Sequence, residues 1–326
     1  MNGVALFFMG LILLVVAAEL VVRGALRLAL SLGVKPLILG LTVVSIGTSA
    51  PELAIGVTAS LQGSGSLAVG NIAGTNVFNI LFILGLSALL RPLPLHLQIL
   101  KLELPMIIVA AAMMTGLAWD GVLSRRDGGV MFGGAILYTV ALVRLSRRES
   151  QSVQAEFREL YGADGAIMGQ KLTIIRVKFA ATLAAGLGLS VLGADWLVSG
   201  AVGIARGLGI SEAMIGLTIV AIGTSSPELV TTIVATLKDE RDVAVGNLLG
   251  SSIYNILVIL GATCLASPGG VPVERQLMIV DVPLMAGVAL ACVPVFITGK
   301  RVSRLEGALF MAIYSIYLFS LVLLRI

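Results

Sequence analysis

The chain has 326 residues, of which 58% are hydrophobic and 12% are charged, and its formal net charge is +4. A soluble globular protein has about 25% charged residues, so this chain has too few to cover a water-facing surface. Together with a mean hydropathy of +1.05, the composition excludes a soluble enzyme, a disordered scaffold and a nucleic-acid-binding protein. It predicts an integral membrane protein with several spans.

Ten apolar segments are long enough to cross a membrane as helices. They lie near residues 4–22, 34–61, 67–90, 103–119, 129–146, 174–198, 210–237, 243–265, 277–297 and 305–324. A polar stretch at residues 147–172 divides them into two sets of five. We therefore expect an all-α polytopic membrane protein with ten transmembrane helices, built from a five-helix repeat at 1–146, a linker, and a second five-helix repeat at 173–326.

Basic residues are distributed unequally among the loops. Of the 22 Lys and Arg residues, 17 lie on the loops that join spans 1–2, 3–4, 5–6, 7–8 and 9–10, and five lie on the other side. Because basic loops remain in the cytoplasm, we expect the linker to be cytoplasmic and both termini to be outside. No basic region precedes the first apolar run, so we expect a retained span in the plasma (inner) membrane rather than a cleaved signal peptide.

The chain contains an internal repeat. With a shift of 176 residues, residues 40–85 align with residues 216–261 without a gap, and 24 of the 46 positions are identical. The strongest blocks are Gly-Thr-Ser-x-Pro-Glu and Gly-Asn-x-x-Gly-Ser/Thr. Because five spans per half is an odd number, the halves should enter the membrane in opposite orientations. Such inverted repeats are typical of secondary transporters with a binding site between the halves.

Each repeat has a glutamate, Glu52 or Glu228, in the middle of an apolar span. An ionised carboxylate there costs at least about 2.5–3.5 kcal/mol, and its usual explanation is a functional partner. The nearest basic residues in sequence, Lys35 and Lys238, lie at the ends of these spans. We therefore predict that the missing positive charge is a bound cation.

A proline precedes each glutamate. Because Pro51 and Pro227 have no N–H group, the carbonyl groups of Gly47 and Gly223 lose their helical partners. We expect each helix to be interrupted just before its glutamate, where free carbonyl groups can line a buried cavity. Hydroxyl and amide oxygens follow at helical spacing in both repeats: Thr48, Ser49, Thr75 and Asn79, and Thr224, Ser225, Ser251 and Asn255.

The predicted ligands are therefore all oxygen atoms. Ca²⁺ takes six to eight oxygen ligands in flexible geometry, whereas Mg²⁺ requires a tighter octahedron. No Cys or His cluster accompanies the glutamates, which argues against zinc, copper and iron. Na⁺ also takes hydroxyl and carbonyl oxygens, and two carboxylates neutralise one divalent or two monovalent cations. The sequence indicates transported Ca²⁺ and Na⁺, with no cofactor and no obligate protein partner.

The paired motifs, each followed by an asparagine, resemble the two α-repeats of the sodium/calcium exchanger family in the cation/calcium antiporter superfamily. The resemblance covers nearly the whole chain and implies exchange of Na⁺ for Ca²⁺ by alternating access. It implies that calcium is bound by Glu52 and Glu228 with the carbonyl groups of Thr48 and Thr224. It also implies a central polar pair, Asn79 and Asn255, and sodium sites formed by Ser45, Ser49, Thr75, Ala221, Ser225 and Ser251.

Three positions depart from the family pattern. The family often has Ala at the position of Ser45 and usually has Ser at the position of Thr75, and several relatives have Asp at the position of Asn255. By analogy with the family, the absence of a third carboxylate argues against potassium-coupled transport. H⁺/Ca²⁺ antiport is the alternative within the transporter class, although proton-coupled relatives typically lack this hydroxyl set. Broken helices and inverted repeats favour a site that opens to both sides in turn over a passive channel. An intramembrane enzyme is the third alternative, but the sequence places no catalytic His, Cys or metal cluster beside the two glutamates.

Two further pairs of acidic residues occupy equivalent repeat positions. Spans 1 and 6 carry Glu19 and Asp195 without the broken-helix motif, and we expect these spans to slide or rock against the core, with a hinge near residues 200–209. Glu103 and Asp281, each two residues before a proline, align when the shift is increased by two residues. The sequence assigns no role to this second pair.

Overall fold

The computed structural model describes residues 3–147, 168–209 and 219–325, which are almost entirely helical. We label the described helices in chain order: α1 Gly3–Leu32, α2 Pro36–Thr48, α3 Ala50–Leu61, α4 Gly65–Leu90, α5 Ile99–Asp120, α6 Arg125–Arg147, α7 Met168–Gly207, α8 Ala221–Thr224, α9 Ser226–Leu237, α10 Arg241–Ala266, α11 Leu277–Ile297 and α12 Arg304–Arg325.

Within the described residues, eight helices are long and apolar enough to cross a membrane, and α2 with α3 forms a ninth candidate that is bent by 43°. The chain is therefore an integral membrane protein, as its composition predicts. The seventh predicted span, 210–237, is described only in part, because its residues 210–218 lie outside the described ranges. Its described part forms α8 and α9.

Helices α4 and α10 lie at the centre of the molecule. In their apolar segments, 78% and 83% of the residues are buried, whereas the corresponding share is 17% to 39% in the other six single-helix spans. Both contain a π-helical stretch, Phe78–Leu84 in α4 and Asn255–Leu260 in α10. Such wide turns are frequent at functional sites, because they turn side chains out of the regular helical register.

Helices α1 and α7 are longer than the predicted spans 4–22 and 174–198, with 30 and 40 residues. The predicted first span stops before Arg23, whereas α1 continues past this residue to Leu32, and Gly33, with φ +70°, follows its end. α7 begins inside the predicted linker 147–172, most of which lies outside the described residues.

The pair formed by α1 and α7 packs with backbones in close contact. A Cβ atom on Gly10 would lie 2.4 Å from the backbone nitrogen of Leu197, and one on Gly200 would lie 2.3 Å from that of Phe7. The contacts run in opposite directions along the two helices, so the pair is antiparallel. Gly200 thus serves helix packing, and α7 continues without a break through the first part of the predicted hinge to Gly207.

Two short antiparallel ribbons join the halves of the chain. Leu93–Pro94 (β1) pairs with Arg301–Val302 (β4), and Val122–Leu123 (β2) pairs with Val271–Pro272 (β3). β1 precedes α5 and β2 follows it, so the two ribbons lie at opposite ends of this helix. Each ribbon pairs a loop of the first half with a loop of the second, which fixes how the halves face each other.

Candidate cation-binding site

The predicted helix interruptions are present. Ser49, between α2 and α3, has φ −82° and ψ 13°, and Ser225, between α8 and α9, has φ −86° and ψ 9°. Both values lie outside the helical range. Glu52 and Glu228 occupy the first turns of α3 and α9. The prediction of a break just before each glutamate is therefore confirmed, and its cause is the missing N–H group of the following proline.

The breaks bring helix ends to the middle of the molecule. The positive ends of α3 and α9 lie at the two glutamates, where a helix N-terminus stabilises negative charge. The carboxyl ends of α2 and α8 are formed by Thr48 and Thr224. The last carbonyl groups of a helix lack internal partners, so these ends present oxygen atoms suited to a cation.

The two halves exchange hydrogen bonds at these breaks. The hydroxyl group of Ser49 donates to Glu228 Oε1 at 2.7 Å, and that of Ser225 donates to Glu52 Oε1 at 3.1 Å. Each serine thus binds the glutamate of the opposite half. The two glutamates, although distant in sequence, belong to one buried site.

Hydroxyl groups of α4 and α10 extend both contacts. Thr75 Oγ1 lies 3.2 Å from Ser225 Oγ, and Ser49 Oγ lies 3.4 Å from Ser251 Oγ. Ser251 in turn donates to the carbonyl oxygen of Ser45 at 3.3 Å. The hydroxyl group of Ser45 donates to Leu41 within its own helix, so Ser45 contacts Ser251 through its carbonyl group. The structure thus brings these predicted ligands together.

Several buried polar atoms of the site have no hydrogen-bond partner among the described residues. These atoms are Oε2 of Glu52 and of Glu228 and both amide atoms of Asn79 and of Asn255. All four residues are completely buried. Unpaired buried polar groups are rare and costly. Their number here fits a site whose remaining partner is a cation.

The two glutamates also have no basic partner in the described part of the chain. The described ion pairs of Lys, Arg and His involve acidic residues elsewhere, such as Glu19, Asp239 and Asp242. A buried carboxylate without a counter-charge is strongly disfavoured. The charge of the site is therefore complementary to a small cation.

The other predicted ligands lie on the same elements. Thr48 is completely buried and Thr224 is 4% exposed. Ala221 is the first residue of α8. Asn79 lies in the π-helical stretch of α4, and Asn255 begins the one in α10.

Asn247 is a buried residue of the site region that the sequence did not single out. Its Oδ1 accepts a hydrogen bond from Thr48 Oγ1 at 3.1 Å, and its Nδ2 donates to Thr232 Oγ1 at 3.0 Å. It therefore orients the last side chain of α2 from the opposite half. The sequence repeats the Gly-Asn pair at residues 70–71 and 246–247, and this repeat was a signal that could have identified Asn247. The equivalent Asn71 does not form the same bridge, because its amide nitrogen has no described partner.

The second repeated acidic pair is also buried. Tyr138 donates a hydrogen bond to Glu103 Oε2, and Tyr317 donates to Asp281 Oδ1 at 3.1 Å. Each acid ends a π-helical stretch at the start of α5 or α11. The two contacts fasten α5 to α6 and α11 to α12, which is a packing role in both halves.

A family model described as sodium/calcium exchanger protein matches residues 2–144 and 178–323. The chain is 40% identical to an Escherichia coli (strain K12) inner membrane protein, YrbG, over 81% of this chain and 80% of that protein. It is 30% identical to the sodium/calcium exchanger MaX1 of Methanosarcina acetivorans, and the match covers 96% of both chains.

Solved structures of the sodium-calcium exchanger NCX_Mj have the same fold. One of them, from a crystal soaked with Na⁺, matches with a TM-score of 0.83 and 29% sequence identity, and the match covers 98% of both chains. Others were soaked with Na⁺ together with Ca²⁺ or Sr²⁺. The similarity extends over both halves of the present chain.

Proposed function

Because the chain belongs to the sodium/calcium exchanger protein family, we propose that it is a secondary antiporter that exchanges Na⁺ for Ca²⁺ across the membrane. The observation that carries this proposal is the reciprocal pair of contacts, Ser49 to Glu228 and Ser225 to Glu52. These contacts unite two uncompensated carboxylates in one fully buried site. The family is one of transporters, and cation exchange is the chemistry that such a site can perform.

Glu52 and Glu228 are the proposed calcium ligands, together with the terminal carbonyl groups of α2 and α8 at Thr48 and Thr224. Two carboxylates balance the charge of one Ca²⁺, and the freed carbonyl groups replace water in its coordination shell. The free Oε2 atoms of both glutamates support this assignment. Asn79 and Asn255 add neutral oxygen ligands from α4 and α10.

Na⁺ is proposed to occupy positions beside the calcium site. Hydroxyl or carbonyl oxygens there come from Ser45, Ser49, Thr75, Ala221, Ser225 and Ser251. Because Ser49 and Ser225 contact the glutamates directly, sodium and calcium share the carboxylates. Each ion therefore displaces the other, which is the requirement for antiport.

The proposed transport cycle rests on two inverted halves of five spans, residues 1–146 and 173–326, joined by the linker 147–172. Equivalent helix breaks at Ser49 and Ser225 support this division, as do equivalent π-helical stretches in α4 and α10. The site then opens alternately to the two faces of the membrane. The tightly packed pair α1 and α7 is the proposed moving unit.

The proposed orientation places the linker in the cytoplasm and both termini outside. Contacts between Arg91 and Asp239 and between His96 and Asp242 gather two loops of the basic side at one end of the molecule. The ribbon of β1 and β4 joins loops of the same predicted side. These contacts support a single basic face.

Calcium flux into proteoliposomes tests the proposed function. The purified chain is reconstituted, and sodium, potassium and proton gradients are imposed separately. We expect an outward sodium gradient to drive calcium uptake, and the potassium and proton gradients to drive little. Uptake driven by protons in the absence of sodium would instead establish H⁺/Ca²⁺ antiport, and uptake without any gradient dependence would indicate a channel.

A further inference from the structure

Helix α9 has a polar buried face and an apolar outer face. After Glu228, its buried residues are Thr231, Thr232, Ala235 and Thr236. Its less buried residues are Leu229, Val230, Ile233, Val234 and Leu237. Threonines that face inward in a membrane helix usually hydrogen-bond within the helix or to a neighbouring helix. We call the residues Thr231, Thr232 and Thr236 the threonine stripe.

The threonine stripe begins at the candidate site and extends along the buried side of α9. Thr231 and Thr232 lie three and four residues after Glu228, and Thr236 lies four residues after Thr232. From Glu228 to Thr236 the helix rises about 12 Å, at about 1.5 Å per residue. Thr232 is joined to the site through Asn247, which also binds Thr48. The stripe therefore connects the site to the end of the helix that bears Lys238.

The hydroxyl groups of Thr231 and Thr236 are unpaired in the described structure, although both residues are at most 1% exposed. Threonine in a membrane helix commonly donates to the carbonyl group four residues earlier. Thr115, Thr139 and Thr263 of this chain do so. Thr231 and Thr236 lack this bond, so their hydroxyl groups remain available to a ligand.

The equivalent face of α3 is different. Beyond Glu52 its buried residues are Gly56, Ala59 and Ser60. At the positions equivalent to Thr231, Thr232 and Thr236, the first repeat has Ile55, Gly56 and Ser60. The three threonines therefore occur in α9 and not in α3.

Helix α1 packs against α9 beside the stripe. Ala235, which lies between the threonines, packs with Val22 of α1 and with Val243 and Ala244 of α10. At the end of α9, Lys238 Nζ lies 2.6 Å from Glu19 Oε1 of the same helix α1. All three threonines are buried in this structure, and α1 is one of the helices that pack against the same side of α9.

We propose that the threonine stripe is the path by which partly dehydrated Na⁺ and Ca²⁺ move between Glu228 and the face that bears Lys238. This inference rests on the proposed antiport function. The hydroxyl oxygens replace part of the water that a cation loses when it leaves that face. Because they act in transit and not at the site, they should affect the rate of exchange more than the affinity for calcium.

The test compares turnover with binding in a double variant. Thr231→Val and Thr236→Val keep the shape of the side chain and remove the hydroxyl groups. We expect the maximal rate of sodium-driven calcium uptake to fall by about fivefold for each hydroxyl group, which corresponds to about 1 kcal/mol for one hydrogen bond. Calcium binding to the purified variant should change by less than about twofold on the same grounds. Thr231→Ser with Thr236→Ser should restore the rate.

Thr263→Val is the matched control, because Thr263 is equally buried and its hydroxyl group is already bonded within α10. A wild-type rate in the double valine variant would overturn the proposed path. So would a loss of calcium binding as large as the loss of rate, because it would place the threonines in the site. Absence of sodium-driven uptake by the wild-type chain would contradict the proposed function itself.

Discussion

The hydroxyl group of Ser49 donates a 2.7 Å hydrogen bond to Glu228 Oε1, although the two residues lie 179 positions apart in the chain. The equivalent bond in the opposite sense joins Ser225 Oγ to Glu52 Oε1 at 3.1 Å. Each carboxylate is therefore held by the helix break of the other half. Any change in the relative position of the two breaks must alter both serine–glutamate contacts together.

Removal of either serine hydroxyl group should affect sodium more than calcium. Ser49→Ala or Ser225→Ala removes one proposed oxygen ligand of Na⁺, whereas the carboxylates are the proposed main ligands of the divalent ion. We expect the sodium concentration for half-maximal exchange to rise about fivefold, on the basis of about 1 kcal/mol for one hydroxyl contact. Calcium uptake measured over a range of sodium concentrations checks this.

Ser252→Ala is the control for the serine variants. Ser252 neighbours Ser251, and its hydroxyl group donates to Leu248 within α10. This variant should leave sodium dependence unchanged. Equal weakening of sodium and calcium binding in the Ser49 or Ser225 variants would indicate a structural role for the hydroxyl groups.

The close contact of α1 with α7 predicts opposite effects for two Gly→Ala changes in α7. In Gly200→Ala the new Cβ would lie 2.3 Å from the backbone nitrogen of Phe7, whereas no atom lies within 4 Å of a Cβ at Gly188. We expect Gly200→Ala to destabilise the protein by about 1–3 kcal/mol. Gly188→Ala should stabilise it by about 0.5–1 kcal/mol, because alanine favours a helix. Thermal unfolding in detergent measures both, and equal melting temperatures would contradict the packing.

The ion pair between Glu19 and Lys238 predicts non-additive effects. Lys238→Gln gives the second half the residue that the first half has at the equivalent position, Gln62. Because both side chains are partly exposed, the pair contributes about 0–1 kcal/mol. We expect a change in exchange rate of up to about fivefold. Glu19→Gln also removes the contact of Glu19 with Arg23, so the double variant Glu19→Gln with Lys238→Gln should change the rate no further than Glu19→Gln alone. Additive effects would show that Glu19 and Lys238 act separately.

Protons and calcium should compete at the candidate site. Protonation of Glu52 or Glu228 removes a negative charge from the proposed calcium site, and two carboxyl groups that share a site exchange protons as a pair. Acidification should therefore raise the apparent calcium dissociation constant, and saturating calcium should restore full binding. Equilibrium binding at a series of pH values checks this. A loss at low pH that calcium cannot reverse would point to unfolding instead.

Local rules were sufficient to predict the parts of the site that lie within one segment. The missing N–H groups of Pro51 and Pro227 predict the breaks that occur at Ser49 and Ser225. The repeat predicts that both halves contribute equivalent residues. Hydropathy predicts the spans, but it places the end of the sixth span at residue 198, whereas α7 continues to Gly207. The backbone contacts with α1 that accompany this extension leave no hydropathy signal.

Contacts between the halves could not be predicted, because they depend on the packing of distant segments. The bridge that Asn247 forms between Thr48 and Thr232 is one example. The inward orientation of Thr231 and Thr236 is another, since a threonine in an apolar span gives no indication of the face it occupies. The repeated pair Glu103 and Asp281 can be recognised in the sequence. Their hydrogen bonds to tyrosines could not be predicted, because the tyrosines lie on other helices.

Sodium-driven calcium uptake by glutamate variants in proteoliposomes tests the central claim most directly. Glu52→Gln and Glu228→Gln each keep the shape of the side chain and leave one negative charge for a divalent ion. We predict that each variant inserts and folds normally but loses nearly all uptake, whereas Glu274→Gln, at an exposed loop position, keeps the wild-type rate. Near-normal uptake by either site variant would contradict the assignment of the two glutamates as the shared ligands of the exchanged cations.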